Sequence, residues 1–185
     1  MRLTCPAEVV AGHDGRGRRS GPGTSSRAVQ PAARAGAHVL AAVRSQKKTA
    51  AVPAAAHEIL VGDAAQAGAT GAQGGVDVLL DSVGGDTVPT LLPAVRPGGR
   101  VVLIGYVAGT TLSVDLPALL AKDIALLPVN MVRRKVPVDV FHTLLDDLGT
   151  CRLHLHTTTH AFTDLGKAIA ARGTGAVSGA LAVTL

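Results

Sequence analysis

Small and polar residues follow two neighbouring apolar runs near the middle of the chain. The runs VDVLL (76–80) and VVLI (101–104) are short and bounded by glycines, which is typical of strands covered on both faces in a parallel sheet. The segment from Asp86 to Val95 has the length of a helix, and Pro97-Gly98-Gly99 is a turn signal, so the region predicts a right-handed βαβ unit. Ligands of open α/β sheets bind beyond the carboxyl ends of the strands. We therefore predict that a ligand contacts the residues at these ends: Ser82, Val83, Gly84, Ile104, Gly105 and Tyr106.

Two other interpretations of these residues stay open. A tight strand-to-helix turn would by itself explain Gly84 and Gly85. Asn130, which follows a sixth apolar run, could donate a hydrogen bond to a ligand carboxamide or could cap a loop. Tyr106 has Thr110 four residues on, so the Tyr-x-x-x-Lys pair of short-chain dehydrogenases is absent.

Basic and hydroxyl side chains cluster after a second predicted strand, residues 39–43. The sequence there is Arg44-Ser45-Gln46-Lys47-Lys48, with no carboxylate before Glu58. In a dinucleotide-binding sheet an acidic residue at this position would hold the ribose hydroxyls of NAD, whereas cations accept the 2′-phosphate of NADP. Arg44, Ser45 and Lys48 therefore favour NADP(H), and the alternative is a solvated basic turn that opens a helix.

Glycines precede the first predicted helix, where a pyrophosphate would meet backbone N–H groups at the helix N-terminus. No G-x-G-x-x-G spacing occurs, and Gly21-Pro22-Gly23 is the best remaining candidate because it directly precedes the helical pattern from Thr24 to Ala37. We assign Gly21 and Gly23 to the cofactor, with a plain turn as the alternative.

Strands alternate with helices along the whole chain, which predicts an α/β fold. We expect a Rossmann-type, doubly wound, mainly parallel six-stranded sheet with extra C-terminal strands. The segment from Pro137 to Leu148 predicts an amphipathic helix, with Asp146-Asp147 on the polar face and four residues on the apolar face that we expect to meet the core: Val140, Leu144, Leu145 and Leu148. The expected divisions are an irregular, basic, Gly-rich segment with a possible first strand, a dinucleotide-binding domain, and a strand-helix-strand extension: residues 1–23, 24–150 and 151–185.

Composition excludes several classes of function. The net charge is +5, but the arginines crowd the N-terminal part and aromatic residues make up only 2%, so we expect no nucleic-acid binding. No apolar run of membrane-spanning length occurs, and no signal sequence is indicated, so we expect a cytoplasmic protein with reduced thiols at Cys5 and Cys151.

His154, His156 and His160 lack further ligands at metal-binding spacing, so we expect no metal site. No G-x-S-x-G occurs, which argues against a serine hydrolase of the nucleophile-elbow type.

The same residues carry a family resemblance. The segments DVLLDSVGGDTVPTLLPAVRPGGRVVLIGYVAG and LPALLAKDIALLPVNM closely resemble the medium-chain dehydrogenase/reductase superfamily, in particular its quinone oxidoreductase-like, zinc-independent and NADPH-dependent branch. AVQPAARAGAHVLAAVRSQKK resembles that family's first helix, second strand and NADP-selecting turn, and FTDLGKAIAARGTGAVSGALAVTL resembles its C-terminal helix, loop and last strand. The resemblance covers roughly residues 28–185 and includes only the C-terminal nucleotide-binding part, without the family's barrel-like catalytic domain.

The resemblance implies hydride transfer from NADPH to a quinone or an α,β-unsaturated carbonyl, with no catalytic residue assigned. It also implies a homodimer that forms through the edge strand from Ile124 to Asn130. One alternative is a truncated, catalytically inactive nucleotide-binding or structural remnant. A methyltransferase also uses a doubly wound sheet, but it expects an acidic residue where Arg44 and Ser45 stand.

Overall fold

The computed structural model describes residues 8–13, 24–43, 46–62, 75–130, 132–155, 157–173 and 180–185. The strands within these ranges are β1 Glu8–His13, β2 His38–Val43, β3 Glu58–Val61, β4 Val76–Asp81, β5 Val95–Leu103, β6 Ala125–Pro128, β7 Thr157–Ala161 and β8 Ala180–Thr184. The α-helices are α1 Thr24–Arg34, α2 Thr87–Leu91, α3 Leu116–Ala121, α4 Val138–Gly149 and α5 Leu165–Gly173. Short 3₁₀ turns cover Gln46–Ala51, Leu92–Ala94 and Phe162–Asp164.

Six strands form one sheet in the order β3-β2-β1-β4-β5-β6, and every neighbouring pair in it is parallel. This is the strand order of a doubly wound dinucleotide-binding sheet, in which the chain reverses its direction of winding between β1 and β4. The predicted Rossmann-type α/β class is confirmed. β7 and β8 pair in parallel as a separate two-stranded sheet, in agreement with the expected extra C-terminal strands.

The helix between β4 and β5 is shorter than predicted, and β5 is longer. α2 ends at Leu91 and continues only as a 3₁₀ turn, because Pro93 has no N–H to donate to an α-helical hydrogen bond. The sequence predicts a turn at Pro97-Gly98-Gly99, between the helix and the next strand. This prediction is wrong. The segment lies inside β5 as an irregularity, since Val76 pairs with Val95 while Val78 already pairs with Arg100.

The core lies on both faces of the sheet and is built from small aliphatic side chains, as the composition predicts. On one face Leu40, Leu79 and Val101 pack with Val88 and Leu91 of α2. On the other face Val39 packs with Val29 of α1, with partly buried alanines around them: Ala32, Ala33, Ala37, Ala55 and Ala56. Because helices cover both faces, the sheet strands can be apolar throughout.

The amphipathic helix α4 is confirmed in its bounds, but its predicted polar face is partly wrong. Asp146 is exposed, whereas Asp147 is 4% exposed and lies in an ion pair with Arg34 of α1. Val140 and Leu145, both expected to meet the core, are 44% and 49% exposed. The buried face of the helix therefore differs from the predicted one and includes Asp147. Burial of a carboxylate costs free energy unless its charge is paired.

The divisions at residues 23 and 150 stay a prediction. β1 lies before the division at residue 23, yet it pairs with β2 and β4 in the centre of the six-stranded sheet.

Candidate functional site

A cleft of about 530 Å³ opens at the carboxyl ends of β4, β5 and β6. Its size falls within the range of roughly 300–1,000 Å³ that small-molecule and cofactor sites occupy. Carboxyl ends of neighbouring parallel strands are where open α/β sheets bind ligands. The residues that line the cleft are Asp81, Gly84, Gly85, Leu103, Ile104, Gly105, Tyr106, Gly109, Thr110, Thr111, Leu112, Pro128, Val129, Asn130 and Val132.

The turn after β4 is held by the last residue of that strand. The carboxylate of Asp81, which is 1% exposed, accepts hydrogen bonds from the backbone N–H of Val83 at 2.9 Å and of Gly84 at 3.1 Å. Burial raises the pKa of the Asp81 carboxyl, and the two backbone hydrogen bonds oppose that rise. The turn is thus fixed by one buried carboxyl group at the floor of the cleft.

The glycines of this region allow two backbone segments to approach each other closely. Gly84 has a φ of +76°, and a Cβ there would stand 2.6 Å from the carbonyl oxygen of Gly109. A Cβ at Gly105 would overlap the carbonyl oxygen of Ser82. Gly84 also forms a parallel bridge with Gly109, beyond the ends of β4 and β5. The glycines are therefore required for backbone packing, as the tight-turn interpretation expects.

The predicted ligand-binding residues at the ends of β4 and β5 lie close together, but they differ in how exposed they are to the cleft. Gly84, Ile104, Gly105 and Tyr106 line the cleft, and Tyr106 is 73% exposed. The Val83 side chain is 2% exposed and does not line the cleft, and its backbone N–H and carbonyl are bound to Asp81 and Ala108. Ser82 is half-buried and does not line the cleft.

Asn130 lines the cleft and also caps a turn. Its side-chain Oδ1 accepts hydrogen bonds from the backbone N–H of Val132 and Arg133, each at 3.0 Å. The loop-capping interpretation is therefore correct for the oxygen. The amide nitrogen Nδ2 is a separate donor group, and it has the chemistry needed to meet a ligand carbonyl.

The predicted phosphate-binding residues fall mainly outside the described ranges. These are Gly21, Gly23, Arg44 and Ser45. Lys48 lies within the 3₁₀ turn Gln46–Ala51 that follows β2, and its side chain is not among those described. Their assignment to the cofactor stays a prediction.

Sequence reasoning did not identify the loop after β5 as part of the cleft. Thr110, Thr111 and Leu112 line it, as do Pro128 and Val129 at the end of β6. The loop has no periodic pattern or motif, so no signal in the sequence distinguishes these residues from an ordinary connection. The Gly84–Gly109 bridge and the hydrogen bond from the Ala108 N–H to the Val83 carbonyl, at 2.8 Å, hold the loop against the turn after β4.

Within the described ranges, no three His, Cys, Asp or Glu residues come together as metal ligands. His156 lies outside these ranges, so the expected absence of a metal stays a prediction. No described helix is both long enough and apolar enough to cross a membrane.

The strand order and the cleft at the carboxyl ends define a nucleotide-binding domain of the Rossmann type. Residues 23–148 match the zinc-binding dehydrogenase family. The chain belongs to this family and is the C-terminal nucleotide-binding part of a medium-chain dehydrogenase/reductase. No protein with a curated description matches it.

Solved structures share the fold over nearly the whole chain. A quinone oxidoreductase from Pseudomonas syringae pv. Tomato is 25% identical with a TM-score of 0.74, and the match covers 99% of this chain and 58% of that one. A cobalt- and zinc-bound thermostable alcohol dehydrogenase from Pyrobaculum aerophilum is 21% identical with a TM-score of 0.75, covering 100% and 52%. The Bacillus subtilis protein yhfP with NAD bound is 17% identical with a TM-score of 0.70, covering 100% and 56%.

The chain thus spans about half the length of these structures. The likeness at 17% and 21% identity shows the fold. The family membership adds that this fold is the nucleotide-binding part of an oxidoreductase.

Proposed function

We propose that the chain is an NADP(H)-binding oxidoreductase domain of the zinc-independent, quinone oxidoreductase-like branch. It takes part in hydride transfer from NADPH to a quinone or an α,β-unsaturated carbonyl. The observation that supports the proposal most strongly is the cleft at the carboxyl ends of β4, β5 and β6. Dinucleotides bind at this edge of a sheet whose winding reverses, as this one does between β1 and β4. The likeness to a quinone oxidoreductase at 25% identity supports the branch.

The residues of the cleft fit the nicotinamide half of such a cofactor. Ile104, Gly105 and Tyr106 line the cleft, and the Ile104 side chain offers an apolar contact for the nicotinamide ring. Asn130 offers Nδ2 to the carboxamide, because its Oδ1 is already bound to backbone N–H groups. NADPH supplies the hydride when bound, while the protein groups orient the ring and exclude water.

The preference for NADP(H) is carried by the basic turn after β2. Arg44, Ser45 and Lys48 follow the strand end that selects the cofactor in this fold. Two cations and a hydroxyl suit a phosphate dianion, and no carboxylate follows them in the sequence before Glu58. Gly21 and Gly23, before α1, are proposed to meet the pyrophosphate.

Steady-state NADPH oxidation with a panel of quinones tests the reaction in the full chain. We expect turnover that Arg44→Glu abolishes, because the new carboxylate repels the 2′-phosphate. Arg100→Glu is the matched control, since Arg100 pairs with the first residue of β6 and lies away from the cleft. Turnover that both variants reduce equally would contradict the assignment of Arg44.

A second candidate is an inactive nucleotide-binding or structural remnant. The observation that favours it is that Gly84 and Gly105 are explained by backbone packing alone, without a ligand. NADPH binding without oxidation of the cofactor by any quinone of the panel would favour the remnant over the enzyme.

We also propose that the chain forms a homodimer through its edge strand. Among the described strands, β6 pairs on one side only, with β5, and Leu127 of β6 is 41% exposed. The other edge is therefore open to pair with a second strand. We expect twice the monomer mass in sedimentation velocity at micromolar concentration. A monomeric mass would contradict the dimer.

We also propose that the protein is located in the cytoplasm.

A further inference from the structure

Three consecutive cations follow the end of β6 and have no part in the proposed cofactor site. Arg133, Arg134 and Lys135 are all exposed. The ion pairs formed within the described ranges do not include any of them. Nothing in that part of the chain therefore neutralises their charge.

The cations are carried on a turn that is fixed to the cleft. Asn130, a lining residue, accepts the backbone N–H of Arg133 on Oδ1 and the backbone N–H of Arg134 on its carbonyl oxygen, each at 3.0 Å. Val132, within the same turn, also lines the cleft. The three side chains thus begin at the rim of the cleft on a turn with a defined geometry.

Their position separates them from the pyrophosphate of a bound dinucleotide. That group lies at the crevice between β1 and β4, where the winding reverses. β6 is two strands beyond β4, and parallel strands lie about 4.8 Å apart, so the end of β6 is roughly 10 Å from β4 and further from β1. The cations therefore flank the end of the cleft that lies farthest from the pyrophosphate crevice.

The remainder of the cleft offers no comparable charge. Its acidic lining residue, Asp81, is buried and bound to the backbone of its own turn. The other lining groups are apolar side chains, backbone, two threonines, Tyr106 and Asn130. An apolar cleft with cations at one rim suits a flat unsaturated molecule that carries an anion at its edge.

We propose that Arg133, Arg134 and Lys135 recognise an anionic substituent, a carboxylate, sulfonate or phosphate, on the substrate whose unsaturated carbonyl or quinone occupies the cleft. Arginine presents a planar fork of donors that matches the oxygens of such groups. This inference rests on the proposed function and narrows its substrate class.

Isothermal titration of the full chain with 1,4-naphthoquinone-2-sulfonate and with 1,4-naphthoquinone tests the proposal, first without cofactor and then with NADP⁺. The two probes share the ring and differ in the anion. We expect the sulfonate to bind about tenfold more tightly, and the advantage to fall by about threefold to tenfold in Arg134→Gln and to disappear in the triple glutamine variant. Arg100→Gln removes one exposed charge from β5 at a position that does not line the cleft, and it should leave the ratio unchanged.

If Arg134→Gln weakened the binding of both probes equally, the proposal would be overturned, because the residue would then only shape the cleft. Weaker NADPH binding in that variant, with the sulfonate preference kept, would overturn it also, since the cations would then serve the cofactor. Failure of the wild-type chain to bind NADPH, with the sulfonate preference present and sensitive to Arg134→Gln, would contradict the proposed function and leave the anion site supported.

Discussion

Arg34 of α1 and Asp147 of α4 form a two-armed ion pair across 113 residues of sequence. Nη2 of Arg34 donates to Oδ1 of Asp147 at 3.2 Å, and Nη1 donates to Oδ2. Arg152 approaches Oδ1 of the same carboxylate at 3.1 Å. Beside this pair, Gln30 of α1 exchanges two hydrogen bonds with the backbone of His154. These contacts fix the helix whose N-terminus follows the proposed pyrophosphate turn.

Asp147→Asn should lower the thermal midpoint of unfolding by several degrees, because it leaves the guanidinium of Arg34 without its charged partner. The hydrogen bond from Arg34 lowers the pKa of Asp147, burial opposes this, and the charges of Arg34 and Arg152 add to the lowering. A depressed carboxyl pKa contributes stability that is present above the ordinary value of 3.8 and is lost as the pH falls through the folded value. Thermal melts of wild type and variant should therefore converge in strong acid.

Lys167→Gln is the control for this prediction, since it breaks an exposed ion pair between Lys167 of α5 and Asp164 of the preceding 3₁₀ turn. The expected change is within about 1 kcal/mol, because exposed pairs contribute little. A larger effect of Lys167→Gln than of Asp147→Asn would contradict the importance of the buried pair.

Gly105→Ala should destabilise the chain by on the order of 1–3 kcal/mol, because the new methyl group meets the backbone of Ser82 rather than a movable side chain. Nucleotide affinity should fall with it, since Gly105 lines the cleft. Denaturant unfolding gives the free energy and fluorescence titration gives the affinity. In Gly166→Ala, where a Cβ meets nothing within 4 Å, we expect a neutral change or a gain of up to about 1 kcal/mol. Equal behaviour of the two variants would refute the close approach.

Asp81→Asn should reduce the dependence of stability on pH. Burial raises the pKa of Asp81 in the folded chain, against backbone hydrogen bonds that lower it. A raised carboxyl pKa favours the protonated folded state, so stability falls as the pH rises from 3.8 through the folded value. Asparagine keeps an acceptor for Val83 and Gly84 and carries no charge, so this fall should be absent from its melts between pH 4 and pH 7. Asp86→Asn, at an exposed position after the same turn, is the control and should keep the wild-type profile.

Asn130→Asp and Asn130→Ala should have different effects, because the side chain has two tasks. Aspartate keeps the oxygen that accepts the N–H groups of Val132 and Arg133, so stability should be unchanged. It loses the amide donor, so NADPH affinity should fall by about tenfold. Alanine should lose both the affinity and about 1–2 kcal/mol of stability. If aspartate left the affinity intact, Asn130 would be a structural cap alone.

The sheet could be predicted from the sequence because its signals are local. Short aliphatic runs such as VDVLL and VVLI, bounded by glycines, have one physical interpretation when helical segments alternate with them. The strand ends, and with them the floor of the cleft, followed from the same pattern. Their glycines were harder to interpret, since close backbone packing and ligand approach require the same absence of a Cβ.

The features that sequence reasoning missed depend on contacts between distant segments. Asp147 looks like a solvent-facing acid beside Asp146 until Arg34 and Arg152 are placed against it. The helix after β4 is shorter than its apolar spacing suggests, because Pro93 removes a donor. The loop at Thr110–Leu112 lines the cleft because the residues before it are bound to the turn after β4, which is distant in sequence.

Isothermal titration of the full chain with NADPH and with NADH tests the central claim most directly. We predict saturable binding of NADPH at least about tenfold tighter than that of NADH, because the extra phosphate gains charge-assisted hydrogen bonds from the turn after β2. No measurable binding of NADPH, or tighter binding of NADH, would contradict the proposed NADP(H) site.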